Sequence, residues 1–399
     1  MSRGSRHLRR FPILVILLIP ALAGSPCADP LPPDLAAPLG GRLFTRIRAL
    51  GYGSYQKIAP TPQNPWNAGR IPRYGAQLNL RPDLEFILDR LELKAKPRWD
   101  LVWDQAKHGR TVRRVTIRTD EELYVNEWLA RARATDRLFV SYGREVLNWG
   151  PSSLLSPSNP FNPDNGRNRP KRELAGLDYA RAVWIPGPQW TLSAVWNTGA
   201  GRFRPVGAFR RSVALKLDVT ASERYATLIA AAREDGGVRP GAFAVWNVSD
   251  AAFLYGEAGA FGDDVGEARW LVGGSYTHEK GPNFTAEFFH SGVGCRSDGI
   301  LACIDEAILS AAGSSDILIR SNYALLQYSE TRIDQTVNLF LRWIHGLDDG
   351  SSRFIGVFEY EAGDYTQLFT VGSFDVGDAS TEFASLLEYA LFAGVEFNF

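Results

Sequence analysis

The sequence predicts an all-β chain: a transmembrane antiparallel β-barrel of about 18 strands, with about 16 as the smaller even-numbered alternative, behind a cleaved signal peptide. Three observations lead there. Several stretches alternate apolar and polar residues over more length than a soluble sheet uses. The connections alternate between short turns and longer loops. The chain also closes on LFAGVEFNF, a period-2 strand that runs to Phe399 with no polar tail to blunt its edge. A closed barrel has no free edge, so this last strand is expected to pair with the first.

The elements follow in chain order. Residues 1–28 have the layout of a secretory leader: Arg3, Arg6, Arg9 and Arg10, then the apolar FPILVILLIPAL, then small residues with cleavage after Ala23 or Ala28. The apolar run is too short to cross a bilayer as a helix. Cys27 does not directly follow the Leu-Ala-Gly run, which argues against a lipid-modified cysteine. Residues 29–40 (DPLPPDLAAPLG) read as an irregular lead-in, and the barrel is expected over 41–399. GRLFTRIRALGY (41–52) and YGAQLNLRPDLEFIL (74–88) are its first two strands.

RLELKAKPRWDLVWD is the clearest strand. Leu91, Leu93, Ala95, Pro97, Trp99, Leu101 and Trp103 share one face; Glu92, Lys94, Lys96, Arg98 and Asp100 share the other. Soluble strands mostly run about 5–6 residues, whereas a membrane strand needs about 9–11. WTLSAVWN (190–197), SVALKLDV (212–219) and IDQTVNLFLRW (333–343) repeat the pattern, and several strands begin or end on Trp or Tyr, as an aromatic girdle requires. A soluble secreted β-sandwich or a solenoid is the competing fold; the first wants shorter strands and the second a fixed repeat that the sequence lacks.

Counting back from Phe399, the short connections are 361–364, 330–334, 279–282, 247–250, 220–223, 186–189 and 134–137. The connections between them are mostly longer and richer in Gly, Asp and Arg, the asymmetry of an outer-membrane barrel. Cys295 and Cys303 fall in one of the long ones. In an oxidising compartment a loop-closing disulfide is expected, with two free thiols as the alternative. No His or third Cys stands beside the pair, which argues against a metal site.

One segment carries a family resemblance. RLFVSYGREVLNWGPSSLLSPSNPFNPDNG is a strand ending G-R-x-x-x-x-W-G followed by a Ser/Asn/Pro loop. Through Gly143, Arg144, Trp149, Gly150, Asn159, Pro160, Asn162 and Pro163 it resembles proteobacterial outer-membrane porin-like barrels, among them the alginate-export porin and relatives of unknown function. Glu145 stands where that pattern has Gln. The resemblance covers about residues 75–200 and implies an outer-membrane channel without a particular cargo. The terminal aromatics Phe397 and Phe399 resemble the C-terminal assembly signal of such barrels, which implies the barrel-assembly machinery as a partner, alongside outer-membrane lipid and lipopolysaccharide.

Residue physics adds two expectations for the motif. Arg144 shares the phase of Leu138, Val140 and Tyr142, so it must lie near the rim or follow a bulge. It either closes the loop onto the wall or contacts a ligand. The 149–177 loop either folds inward as a constriction, with NRPKRE (168–173) supplying positive charge, or lies solvated on the surface.

Charged side chains facing lipid would cost about 2–4 kcal/mol at mid-depth for Arg or Lys. That assigns Glu92, Lys94, Lys96, Arg98, Asp100, Lys216, Asp218, Glu287, Asp334, Arg342, Arg353 and Glu359 to the lumen. They either border an open passage or pair across a filled one; the Lys94–Arg98 stripe leans toward anionic solutes.

Removing the four leader arginines from 44 basic and 44 acidic residues leaves a net charge of −4, which gives no reason to invoke nucleic acid. Catalysis and cofactors are not expected. His290 and Ser291 are adjacent on a strand and point to opposite faces, and His108, His278 and His345 have no metal spacing. The expectation is a channel for a hydrophilic solute or an exported polymer, with a non-conducting, plugged barrel in an envelope export system as the alternative.

Overall fold

The computed structural model describes residues 42–203, 209–234, 236–260, 268–300, 302–303 and 318–399. The expected signal peptide and lead-in lie outside the described residues. Within them, eighteen antiparallel strands form a single sheet that closes on itself. They are β1 (Arg42–Ile58), β2 (Tyr74–Ile87), β3 (Leu91–His108), β4 (Arg114–Arg133), β5 (Leu138–Glu145) and β6 (Leu177–Gly187). Next come β7 (Trp190–Gly199), β8 (Ser212–Thr220), β9 (Arg224–Arg233), β10 (Val238–Asn247), β11 (Ala252–Gly259) and β12 (Arg269–Thr277). The last are β13 (Asn283–Ser291), β14 (Asn322–Ile333), β15 (Val337–Gly346), β16 (Ser352–Gly363), β17 (Thr366–Val376) and β18 (Leu387–Asn398).

The terminal strand pairs as expected. β18 lies against β1 from Arg48 opposite Asn398 to Lys57 opposite Tyr389. Ile47 and Phe399 exchange both backbone hydrogen bonds, at 3.0 and 2.9 Å. The short connections gather at the rim where Phe399 ends, and the long ones at the other.

Alternation then sorts the side chains. Leu192, Trp196, Leu215, Leu228, Leu254, Phe284, Leu326, Leu341 and Phe354 point outward and are exposed, while Val195, Ile229, Leu271, Phe289, Leu325 and Ile344 point inward and are buried. So large a continuous apolar exterior requires an apolar solvent. No described helix is long and apolar enough to cross a membrane; a barrel crosses with strands.

Pro97 brings a local departure. Lys96 faces Glu127 but Pro97 faces Val125, so Asn126 is an extra residue on β4. This bulge lets Asn126 and Glu127 both serve the lumen. The wall is also uneven: β3 and β4 span 18 and 20 residues, whereas β5 spans only 8. Beyond Glu145 the chain leaves the wall and enters the barrel.

The lumen is not polar throughout. Leu154 and Leu155 from the 149–177 loop pack with Tyr255, Leu271, Phe289, Tyr323, Leu325, Ile344, Ile355 and Phe383 in one buried cluster. That sector is filled like a protein core.

Candidate functional site

The loop between β5 and β6 folds inward. Its first turn is held by two carboxylates of the wall. Glu257 on β11 accepts hydrogen bonds from the Ser158 N–H at 3.1 Å, the Ser158 hydroxyl at 2.7 Å and the Ser152 hydroxyl. Glu287 on β13 accepts from the backbone N–H groups of Ser153 and Leu154, at 2.5 and 2.8 Å, and from the Tyr255 hydroxyl. Backbone donors that the loop cannot satisfy internally are thus met by charged acceptors, the stronger kind of hydrogen bond.

The Ser/Asn/Pro composition explains how irregular backbone survives burial. Fully buried Asn159 donates to the Leu147 carbonyl at 2.7 Å and accepts from the N–H of Phe161 and Asn162. Asn162 accepts from Asp164 N–H, Asp164 from Gly166 N–H, and Asn165 from Arg167 N–H. These successive side-chain turns supply the partners a strand neighbour would have given. Pro160 lies among them without an N–H to satisfy. Trp149 packs edge-on against Phe161, which packs against Tyr179 of β6.

Gly150 sits at φ +86°, where a Cβ would overlap both carboxylate oxygens of Glu257. Gly150→Ala is therefore expected to loosen the first turn and destabilise the barrel by about 1–3 kcal/mol. A lower heat-modification midpoint and faster hydrogen exchange over 150–158 would register it; unchanged exchange would refute the contact.

The second half of the loop crosses to the opposite wall. Asn168 accepts from Arg342 on β15. Lys171 pairs with Glu359 of β16 at 2.7 Å and Glu396 of β18 at 3.0 Å. Glu173 receives Arg98 of β3 at 2.6 Å and Arg48 of β1 at 3.3 Å, and Arg98 also pairs with Asp83 at 2.7 Å. Asn126, the bulge residue, donates to the Leu174 carbonyl at 3.0 Å. The loop is thereby tied around most of the circumference.

The residues assigned inward by sequence fall as follows. Glu92 pairs with Lys94 and Arg131, Lys94 also with Glu85, and Lys96 with Glu127. With Arg98 held by Asp83 and Glu173, the Lys94–Arg98 stripe is neutralised and does not itself present positive charge. Asp100 accepts from Asn79 and Tyr124. Lys216 and Asp218 pair with each other, and the Lys216 ammonium lies 5.7 Å from the Trp149 ring centroid. Arg353 pairs with Asp375 at 2.7 Å. Asp334 is a correction: it lies in the β14–β15 turn at φ +46°, exposed at the short-turn rim, because β14 ends one residue earlier.

Arg144 stays on the outward phase, near the long-loop end of β5. Asp178 of β6 meets it at 2.8 Å, and the Val125 carbonyl at 3.2 Å. The motif arginine thus closes β5 onto β4 and β6. His290 and Ser291 do face opposite ways: His290 packs beside Trp270 on the exterior, and Ser291 is buried. Cys295 and Cys303 are bridged, with Cα atoms 5.5 Å apart.

Glu257 was missed by sequence reasoning. Its signal is faint: one acid on the inward phase of a short strand, in LYGEAG. Arg81 and Arg202 were missed too, and both border the space left beside the loop. That cavity measures about 690 Å³, and its lining reaches Gln56, Gln77 and Leu387 near the long-loop ends of β1, β2 and β18. Six basic residues line it, Arg81, Arg169, Lys171, Arg172, Arg202 and Arg353, against two acidic ones, Asp100 and Glu173. Arg81 and Arg172 have no carboxylate partner among the described residues.

Above the barrel, three loops are knotted at the long-loop rim. Glu382, between β17 and β18, accepts from Ile319 N–H at 3.0 Å, Arg320 N–H at 3.2 Å and the Tyr323 hydroxyl; Arg320 in turn pairs with Asp349 at 3.0 Å. Desolvation pushes Glu382 up from an ordinary 4.5 to about 7. The folded knot then holds a proton that the free carboxyl would release, so its stability is greatest below about 4.5 and falls as pH rises through about 7. Hydrogen exchange of 319–321, corrected for intrinsic rate, is expected to be slower at pH 5 than at pH 8. Glu382→Gln should remove the difference; a pH dependence that survives it would exclude Glu382 as the source.

No family model matches this sequence, and no curated protein is similar to it. Solved structures do match in fold. OccK7 (OpdD) of Pseudomonas aeruginosa superposes with a TM-score of 0.58 at 9% identity, over 90% of this chain and 98% of that one. OccK5 (OpdH) of the same organism gives 0.55 at 10% identity, over 89% and 97%. Wzi of Escherichia coli, described as an outer-membrane carbohydrate-binding β-barrel involved in group 1 capsule assembly, gives 0.56 at 10% identity, over 92% and 86%. The porin-like barrel implied by the G-R-x-x-x-x-W-G segment is the fold observed: the chain is an 18-stranded closed antiparallel barrel that shares the architecture of these proteins while differing from them in most of its sequence.

Proposed function

We propose that the chain is an integral outer-membrane protein of a Gram-negative envelope, without enzymatic activity, that passes small hydrophilic solutes through a lumen narrowed by the β5–β6 loop. One observation carries the reading: a cavity bordered by six basic and two acidic side chains lies beside the loop. Such a lining favours anionic solutes. Among the described residues the unpaired positive charge comes from Arg81 and Arg172, since Arg169, Lys171, Arg202 and Arg353 are paired with Asp164, Glu359 and Glu396, Glu122 and Asp375, as the Lys94–Arg98 stripe is with its own acids. An exported polymer is the larger cargo consistent with a barrel of this size.

The second reading, a plugged structural barrel, is favoured by the buried cluster around Leu154 and Leu155, which leaves that sector no space for solute. Single-channel conductance of the refolded mature chain in a planar bilayer separates the two. Discrete steps, with a reversal potential in a salt gradient that marks anion preference, support the channel. A folded, heat-modifiable barrel that passes no current supports the plug.

A further inference from the structure

A second feature lies outside the lumen. At the long-loop end, one sector of the girdle carries a basic collar. On the β18–β1–β2–β3 sector, Tyr389, Tyr55, Tyr74 and Trp103 share the outward phase on successive strands, and the Tyr55 ring contacts those of Tyr389 and Tyr74. Immediately beyond them stand five cations: Lys57, Arg73, Lys107, Arg110 and Arg113. The Lys57 ammonium lies 5.9 Å from the Tyr389 ring centroid, and the Arg73 guanidinium 5.6 and 5.7 Å from those of Tyr55 and Tyr74. Lys107 shares the outward phase of Trp103, two strand steps beyond it. Arg110 and Arg113 are exposed in the β3–β4 turn, with the Arg110 guanidinium 4.9 Å from the exposed Trp66 ring.

Among the described residues, one carboxylate pairs with this collar: Glu388, at 2.6 Å from Lys57. Lys107, Arg110 and Arg113 have no carboxylate partner among the described residues. On the other side of the barrel, the outward rim positions hold Trp270, His290, Trp343 and His345 instead. The turn is also braced. Asn67 donates to the Lys107 carbonyl at 3.0 Å and Gly109 N–H to the Trp66 carbonyl at 3.1 Å, so the charges stand at a set height.

An aromatic girdle marks the depth at which hydrocarbon gives way to headgroups. Cations one or two residues beyond it lie at the level of lipid phosphates, where a basic residue and an anionic surface attract each other strongly. Val115 and Ile117, which pair with Lys107 and Gln105, are exposed on the same outward phase. We propose that this collar binds the phosphate groups of an anionic glycolipid headgroup in the leaflet at the long-loop end, holding lipid to one sector of the wall. The inference rests on the outer-membrane reading above.

The test uses the refolded mature barrel in detergent, titrated with bisphosphorylated lipid A and followed by native mass spectrometry. Lipid A stripped of phosphate and a lipid-free polyuronate are the comparison probes. Each basic residue near an anionic surface contributes about fivefold in affinity, so Lys107→Gln/Arg110→Gln/Arg113→Gln should weaken lipid A binding about a hundredfold. Phosphate-free lipid A should bind as weakly to the parent barrel. Equal binding of the phosphate-free lipid, full affinity in the folded triple variant, or displacement by polyuronate at equal charge would each overturn the proposal. If the triple variant does not fold, Arg113→Glu alone, in the exposed turn, should still lower affinity by more than tenfold. Failure of the parent barrel to insert into bilayers would strike the outer-membrane reading, a result separate from the headgroup preference.

Discussion

Replacing Val146–Gly176 with a four-residue Gly/Asn turn is expected to raise single-channel conductance several-fold. Glu145 and Leu177 already face each other across β5 and β6, so a short turn can join the strands without disturbing the ladder. What disappears is the material crossing the lumen: the Leu154–Leu155 side of the buried cluster, the Ser152–Ser158 turn on Glu257 and Glu287, and the Lys171 and Glu173 ties to β1, β3, β16 and β18. Glu257 and Glu287 lose donors, which would cost about 1–3 kcal/mol each in a dry site. Water enters the vacated space and solvates them, so the barrel should stay closed with a lower heat-modification midpoint. Arg98 and Arg48 lose Glu173 but keep Asp83, at 2.7 and 3.7 Å. Unchanged conductance in a folded variant would show that the loop does not limit passage. A narrower change, Glu257→Ala with Glu287→Ala, releases only the first turn and should fall between parent and deletion.

Removing Phe399 is expected to cut the yield of membrane-inserted, heat-modifiable protein several-fold. Two contributions are lost together. The reciprocal backbone bonds between Ile47 and Phe399 finish the β1–β18 seam, the one pairing that must form between the two ends of the sheet. The exposed ring stacks with Tyr365 and Phe397, at centroid distances of 6.3 and 6.4 Å, and presents the terminal aromatic read above as the assembly signal. Phe399→Ala separates them, because it keeps the backbone bonds and loses the ring. If the alanine variant assembles normally while the deletion does not, the seam matters and the signal does not. Normal assembly of both would remove this reading of the C-terminus.

Most of the architecture was legible in residue pattern. The alternation of Leu91 to Trp103 against Glu92 to Asp100 told strand from helix and lumen face from lipid face. The parity of short and long connections carried the count to eighteen strands. Register errors were confined to ends, as at Asp334, where a turn residue was read as strand, and at β1, which runs six residues past the expected Tyr52. Arg144 shows pattern reasoning stopping one step short: its outward phase was evident, but Asp178, the carboxylate that makes that position tolerable, lies 34 residues away.

The division between what the sequence decided and what folding decided follows the range of the forces. Strand identity, face and order are set by neighbours two residues apart and by the cost of placing charge in hydrocarbon, both written locally. The direction of the β5–β6 loop is not. An Asn-rich, Pro-rich loop can satisfy its own backbone in water or inside a barrel. Only Glu287, 134 residues from Ser153, and Glu396, 225 residues from Lys171, make the inward position the better one. The same holds for the lumen charges. Sequence placed Lys94, Lys96 and Arg98 inside, but the closed sheet brought up Glu85, Glu127, Asp83 and Glu173 to neutralise them, leaving the unpaired positive charge beside the cavity, among the described residues, to Arg81 and Arg172.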